Sequence, residues 1–262
     1  AFLAWQLTHA LHKRQRDDRA GAHVHYQAVI QRWQAEPRRI TQSPERYIKA
    51  AAAYMYSCHA AGAYSELQAY LATLRDHPTL QAGLRRNLLL MLENIQLLYA
   101  MNRDAPAVET AQHLADLLSE HEGTFQLSYA LPATLNLGIY HLLKSDLGAA
   151  RKWFHRIAVL PRGTERIDIR ELARLLHLVC LYGLQEDELL PYFQKATERF
   201  IRKRRTFNPL ERALFRCFRM YAKQPTRARK WHNALHTQLA DLRTQGQWPG
   251  LEEVWRWLSE SE

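Results

Sequence analysis

Apolar residues recur every three or four positions through nearly the whole chain, and the pattern breaks where Pro and Gly fall. That period marks amphipathic helices with one buried face. It predicts an opening helix to about Arg19 and a second holding Val24, Ile30 and Trp33, with breaks at Pro37 and Pro44. Ser43-Pro44-Glu45 reads as an N-cap, a proline at the first helical position and an acid facing the positive end of the helix dipole.

Beyond that point the predicted helices come in pairs: 44–61 with 64–76, 79–102 with 105–121, 124–144 with 147–160, 164–183 with 186–204, and 208–223 with 226–244. A short helix over 250–260 follows Pro249-Gly250. Successive pairs start about 35 to 45 residues apart, the period of helical-hairpin repeats. Leu210, Leu214, Cys217 and Tyr221 form one apolar stripe, and Leu189, Phe193, Ala196 and Phe200 form another on the preceding helix. A lone hairpin cannot bury stripes on both helices, whereas stacked hairpins can, at roughly 1.5 to 3 kcal/mol for each large side chain. The reading is an all-α chain: a terminal helix pair over 1–43, helical repeats over 44–245 and a capping helix over 246–262.

Residues 131–161 carry a more specific pattern. Leu137-Gly138 lies inside the first helix, Ala150 follows thirteen residues after Leu137, Phe154 comes four later, and Pro161 closes the unit. This stretch resembles a tetratricopeptide repeat, with Thr134 and His141 where that family usually has Trp and Tyr. The pair over 44–78 resembles it more loosely, through Gly62-Ala63-Tyr64, Leu71 and Pro78. The resemblance implies a right-handed α-solenoid of about five stacked hairpins whose surface holds a peptide or a partner helix. Some members clamp a terminal carboxylate with Lys and Asn. Here the corresponding neighbourhood reads Leu135, Asn136 and Ile139, so that clamp is not carried over.

Composition narrows the classes. Ten Gly and ten Pro in 262 residues are too few for a turn-rich β-protein. No apolar run is long enough to span a bilayer, and no secretory signal pattern opens the chain. Ala1 in place of Met predicts a cropped or processed chain. Cys58, Cys180 and Cys217 sit widely spaced in helical apolar patterns, which predicts buried thiols in a reducing, cytoplasmic compartment.

Charge is uneven. The net charge is +10, yet Lys195 to Lys230 alone holds thirteen Lys and Arg against Glu198 and Glu211. Arg199, Arg202, Lys203, Arg204 and Arg205 end one helix, and Arg212, Arg216, Arg219 and Lys223 share the face of the next that lies opposite its apolar stripe. Such a surface attracts an acidic protein or nucleic-acid phosphates. Trp257, off the apolar face of the last helix, is a candidate interface anchor. His232 with His236, His9 with His12, and His113 with Asp116 and Glu120 are too few donors for zinc. No nucleophile elbow, phosphate loop or Cys-x-x-Cys occurs. The sequence therefore predicts a non-catalytic protein–protein scaffold without metal or cofactor, its partner another protein. The alternative is a nucleic-acid- or ribosome-associated repeat using the basic stretch.

Overall fold

The structure is a computed structural model and describes residues 2–75, 82–102, 107–161 and 166–244. Among the described residues there are thirteen α-helices and no strand. They are α1 (Phe2–Gln15), α2 (Arg19–Gln34), α3 (Pro37–Gln42), α4 (Pro44–Ala61), α5 (Tyr64–Arg75), α6 (Ala82–Asn102) and α7 (Val108–Glu120). There follow α8 (Leu127–Leu143), α9 (Leu147–Ala158), α10 (Ile167–Gly183), α11 (Leu189–Arg202), α12 (Pro209–Lys223) and α13 (Ala228–Thr244). The predicted helix over 250–260, and Trp257 with it, lies outside the described residues.

The predicted end of the first helix is corrected. The first helix stops at Gln15, Asp17 turns the chain at φ 56°, and Arg19 opens the second helix. The break expected at Pro37 falls at Ala35 and Glu36, and Pro37 opens the short α3 at its N1 position, because proline fits the first helical turn. Val24 is 60% exposed and contributes nothing to the core.

The chain divides into two compact units, residues 1–130 and 131–262. In the first, α2 packs on α1 and α4, α4 on α5 and α6, and α6 on α7. Their shared core includes Trp33, Ile48, Met55, Leu67 and Ile95. In the second, α9 and α11 both pack on α10, α11 on α12 and α12 on α13. Helix α10 is buried on every side from Leu175 to Tyr182, as an all-round apolar sequence requires. Helices adjacent in the chain thus pack as pairs within each unit.

The turns reveal a repetition that the sequence conceals. At Gly62, φ is 71°, its N–H bonds the His59 carbonyl, and the Ala63 N–H reaches Cys58 at 2.8 Å. This is a Schellman C-cap. The same pair of bonds recurs at Asp17 and Asp18, to Arg14 and Lys13. It recurs again at Ser145 and Asp146, to Leu142 and His141, and at Gln185 and Glu186, to Tyr182 and Leu181. Asp17, Ser145 and Gln185 all take positive φ, between 56° and 58°, without being glycine. Left-handed backbone costs an L-residue about 1 kcal/mol. Four hairpins share one turn geometry, and Gly marks only one of them.

The α8–α9 hairpin holds the pattern that set residues 131–161 apart. Leu137, Ala150 and Phe154 are all 0% exposed. A Cβ on Gly138 would stand 2.5 Å from the Phe154 ring, so the missing side chain is what lets the ring lie against α8. Asp146 starts α9 by accepting the Ala149 N–H at 3.0 Å.

Candidate functional site

On α12 the expected stripe is buried: Leu210, Leu214, Cys217 and Tyr221 are at most 7% exposed. On α11 the buried line is instead Leu190, Gln194, Thr197 and Ile201, one residue round from the predicted one. One residue is about 100° of helix. The cause is a satisfied polar group: Gln194 Nε2 donates to the Phe215 carbonyl of α12 at 3.0 Å and to Glu198 at 2.8 Å. Turning Gln194 inward leaves Leu189, Phe193, Ala196 and Phe200 only partly covered, with Leu189 38% exposed.

That uncovered stripe is one wall of a groove. A cavity of about 300 Å³ is lined by Leu189 and Phe193 of α11, His177 and Leu181 of α10, and Arg151, Lys152 and His155 of α9. Phe193 meets the rings of His177 and His155 edge-on, at 4.7 and 5.7 Å between centroids. Burial, reinforced by His155, Arg151 and Arg174, pushes the His177 pKa down to about 3, so its imidazole is neutral. Arg151 pairs with Glu186 at 3.0 Å, and Lys152 stands exposed.

The other end of the stripe is cationic. Arg170, Arg174 and Arg204 gather around the Phe200 ring at 5.2, 4.5 and 3.9 Å from its centroid. Arg170 donates to the Leu160 carbonyl at 2.6 Å and Arg174 to that of Ala158, while Arg204 donates to Phe200 O. These carbonyls close α9 and lie near the end of α11, where a helix dipole favours cations. Two partial negative ends do not neutralise three guanidinium groups. Burial, then repulsion by the neighbouring guanidinium groups, lowers the pKa of both Arg170 and Arg174. The Nε of each is buried without a hydrogen-bond partner. Among the described residues no carboxylate pairs with any of the three.

The nine cations expected to form one anionic-partner surface divide by role. Arg205 is engaged by acids: its guanidinium bonds Glu171 at 2.7 Å and Glu211 at 2.6 Å. Arg202 and Arg219 share Glu198, at 3.5 and 2.7 Å. Arg199, Lys203, Arg204, Arg212, Arg216 and Lys223 are exposed and, among the described residues, have no acidic partner. Arg170 and Arg174 escaped the sequence reading because they belong to an apolar helix outside the basic stretch. The signal for them is an i, i+4 arginine pair on a helix that is otherwise core.

Among the described residues, His113, Asp116 and Glu120 join no set of donors at metal-binding distance. The one set among the described residues that does meet is His23, Cys58 and Glu66. Comparison with protein-family models, curated proteins and solved structures finds no match to this chain.

Proposed function

We propose that this chain is a non-catalytic scaffold, a right-handed solenoid of about five tetratricopeptide-like hairpins, that holds an acidic, apolar-bearing segment of a partner protein. The observation that carries this reading is the uncovered stripe of α11, which runs from the groove at Leu189 and Phe193 to the three arginines around Phe200. An amphipathic peptide or helix places apolar side chains on such a floor, and its carboxylates offset the surplus cations at one end. The repeated turn geometry and the Gly138–Phe154 contact support the repeat-family reading. Three buried free thiols are compatible with a reducing, cytoplasmic setting. Among the described residues no helix is long and apolar enough to cross a membrane.

Peptide display against the full chain tests the reading. Random peptides selected on it are expected to be acidic and to carry apolar residues at helical spacing. Leu189→Glu combined with Lys152→Glu, both at exposed positions, is expected to weaken the winners at least tenfold. Winners without charge bias that bind the variant equally would overturn the proposal. A second reading rests on the outer face of α12, where Arg212, Arg216 and Lys223 are solvent-facing and without acidic partners among the described residues. Nucleic-acid phosphates would suit that face, and their binding would fall steeply with added salt.

A further inference from the structure

Helices α2, α4 and α5 bring three potential metal donors together inside the first unit. His23, Cys58 and Glu66 each offer one ligand atom, and these atoms all lie within 4.8 Å of one another. The Cys58 side chain is fully buried, His23 is 9% exposed, and the Glu66 carboxylate is partly open to solvent.

Hydrogen bonding fixes the state of the histidine ring. Ser57 Oγ donates to the Tyr54 carbonyl at 2.7 Å, so it can only accept from His23 Nδ1, 3.0 Å away. Nδ1 therefore carries a proton, and Nε2 is the ring atom left to meet a cation. That Nε2 is buried and has no hydrogen-bond partner. It faces Glu66 Oε2 at 3.4 Å. A cation held within the cluster would satisfy this buried nitrogen beside the negative carboxylate. The thiol of Cys58 in the same cluster adds a soft donor, which a proton does not need and zinc favours.

We propose that His23 Nε2, Cys58 Sγ and a carboxylate oxygen of Glu66 bind a divalent zinc-class cation. Zn–N, Zn–O and Zn–S bonds of about 2.0 to 2.3 Å in a tetrahedron put ligand atoms about 3.3 to 3.7 Å apart. The His23–Glu66 separation of 3.4 Å already lies in that range, and Cys58 offers its sulfur within 4.8 Å of both. Outer contacts are present too. Ser57 orients the imidazole, and Gln27 Nε2 and Tyr54 OH each donate to Glu66 Oε2 at 3.0 Å. The Tyr54 ring stacks on His23 with planes 14° apart. An open groove of about 310 Å³, lined by Gln27, Ile30, Tyr54, Glu66 and Tyr70, reaches the Glu66 side of the cluster from solvent. The ion would fasten three helices to one another, a role distinct from the groove of the second unit.

Cobalt(II) titration of the full chain, freed of metal by chelation, tests the assignment. One equivalent is expected to produce the near-ultraviolet thiolate-to-cobalt band and the intense visible bands of a tetrahedral site. Cys58→Ser should abolish the thiolate band, while Cys180→Ser and Cys217→Ser should retain it. Because Glu66 is partly exposed, Glu66→Gln should stay folded by circular dichroism and lose at least tenfold in affinity. Zinc should raise the melting temperature of the wild type but not of Glu66→Gln. No thiolate band in the wild type, or a band that persists in Cys58→Ser, refutes the proposal.

Discussion

Replacing Arg205 with methionine is expected to destabilise the second unit by about 3 kcal/mol, the low end for breaking a buried ion pair because the guanidinium itself is partly exposed. Glu211 is 1% exposed and Glu171 9%, so the two carboxylates remain in the interior with no cation between them. Glu211 also takes part in a capping box, accepting the Asn208 N–H at 2.9 Å while Asn208 Oδ1 accepts that of Glu211 at 2.8 Å. Loss of Arg205 therefore loosens the start of α12 as well. Urea unfolding measures the effect. Adding Glu171→Gln and Glu211→Gln to the Arg205→Met variant should recover part of the loss, since the stranded charges are gone. A loss below about 0.5 kcal/mol would place this network with ordinary surface ion pairs.

The α8–α9 hairpin gives the second large effect. Phe154→Ala removes a fully buried ring and is expected to cost about 3 to 5 kcal/mol. Gly138→Ala sharpens the test, because its sign should depend on Phe154. With the ring in place the added methyl overpacks a closed contact and destabilises by about 1 to 3 kcal/mol. In the Phe154→Ala background the same methyl meets no ring, and the gain in helix propensity should stabilise by about 1 kcal/mol. A double-mutant cycle from thermal or urea unfolding reads both arms. Equal effects of Gly138→Ala in the two backgrounds would mean that the ring does not rest on the glycine.

Helix positions were largely legible because their ends carry strong local chemistry. Pro44 and Pro209 sit at first helical turns, and Gly62 ends α4 in the left-handed conformation. The turns at Asp17, Ser145 and Gln185 were hidden, since their geometry comes from the hairpin bonds and not from a residue that prefers positive φ. The rotation of α11 was hidden for a related reason. Apolarity alone ranks Phe193 above Gln194 for burial, until the Phe215 carbonyl supplies Gln194 with a partner. Likewise, the basic stretch announced its charge but not that Arg205 is held by Glu171 and Glu211. His23 and Cys58 are separated by a helical turn and much of two helices, so no spacing rule joins them.

Hydrogen exchange on the complex of the full chain with a selected acidic peptide tests the scaffold reading most directly. The account predicts protection along α11 from Leu189 to Phe200 and at the facing ends of α9 and α10, where the groove and the three arginines lie. Protection confined to the outer face of α12, over Arg212 to Lys223, with α9 to α11 exchanging as in the free chain, would contradict it.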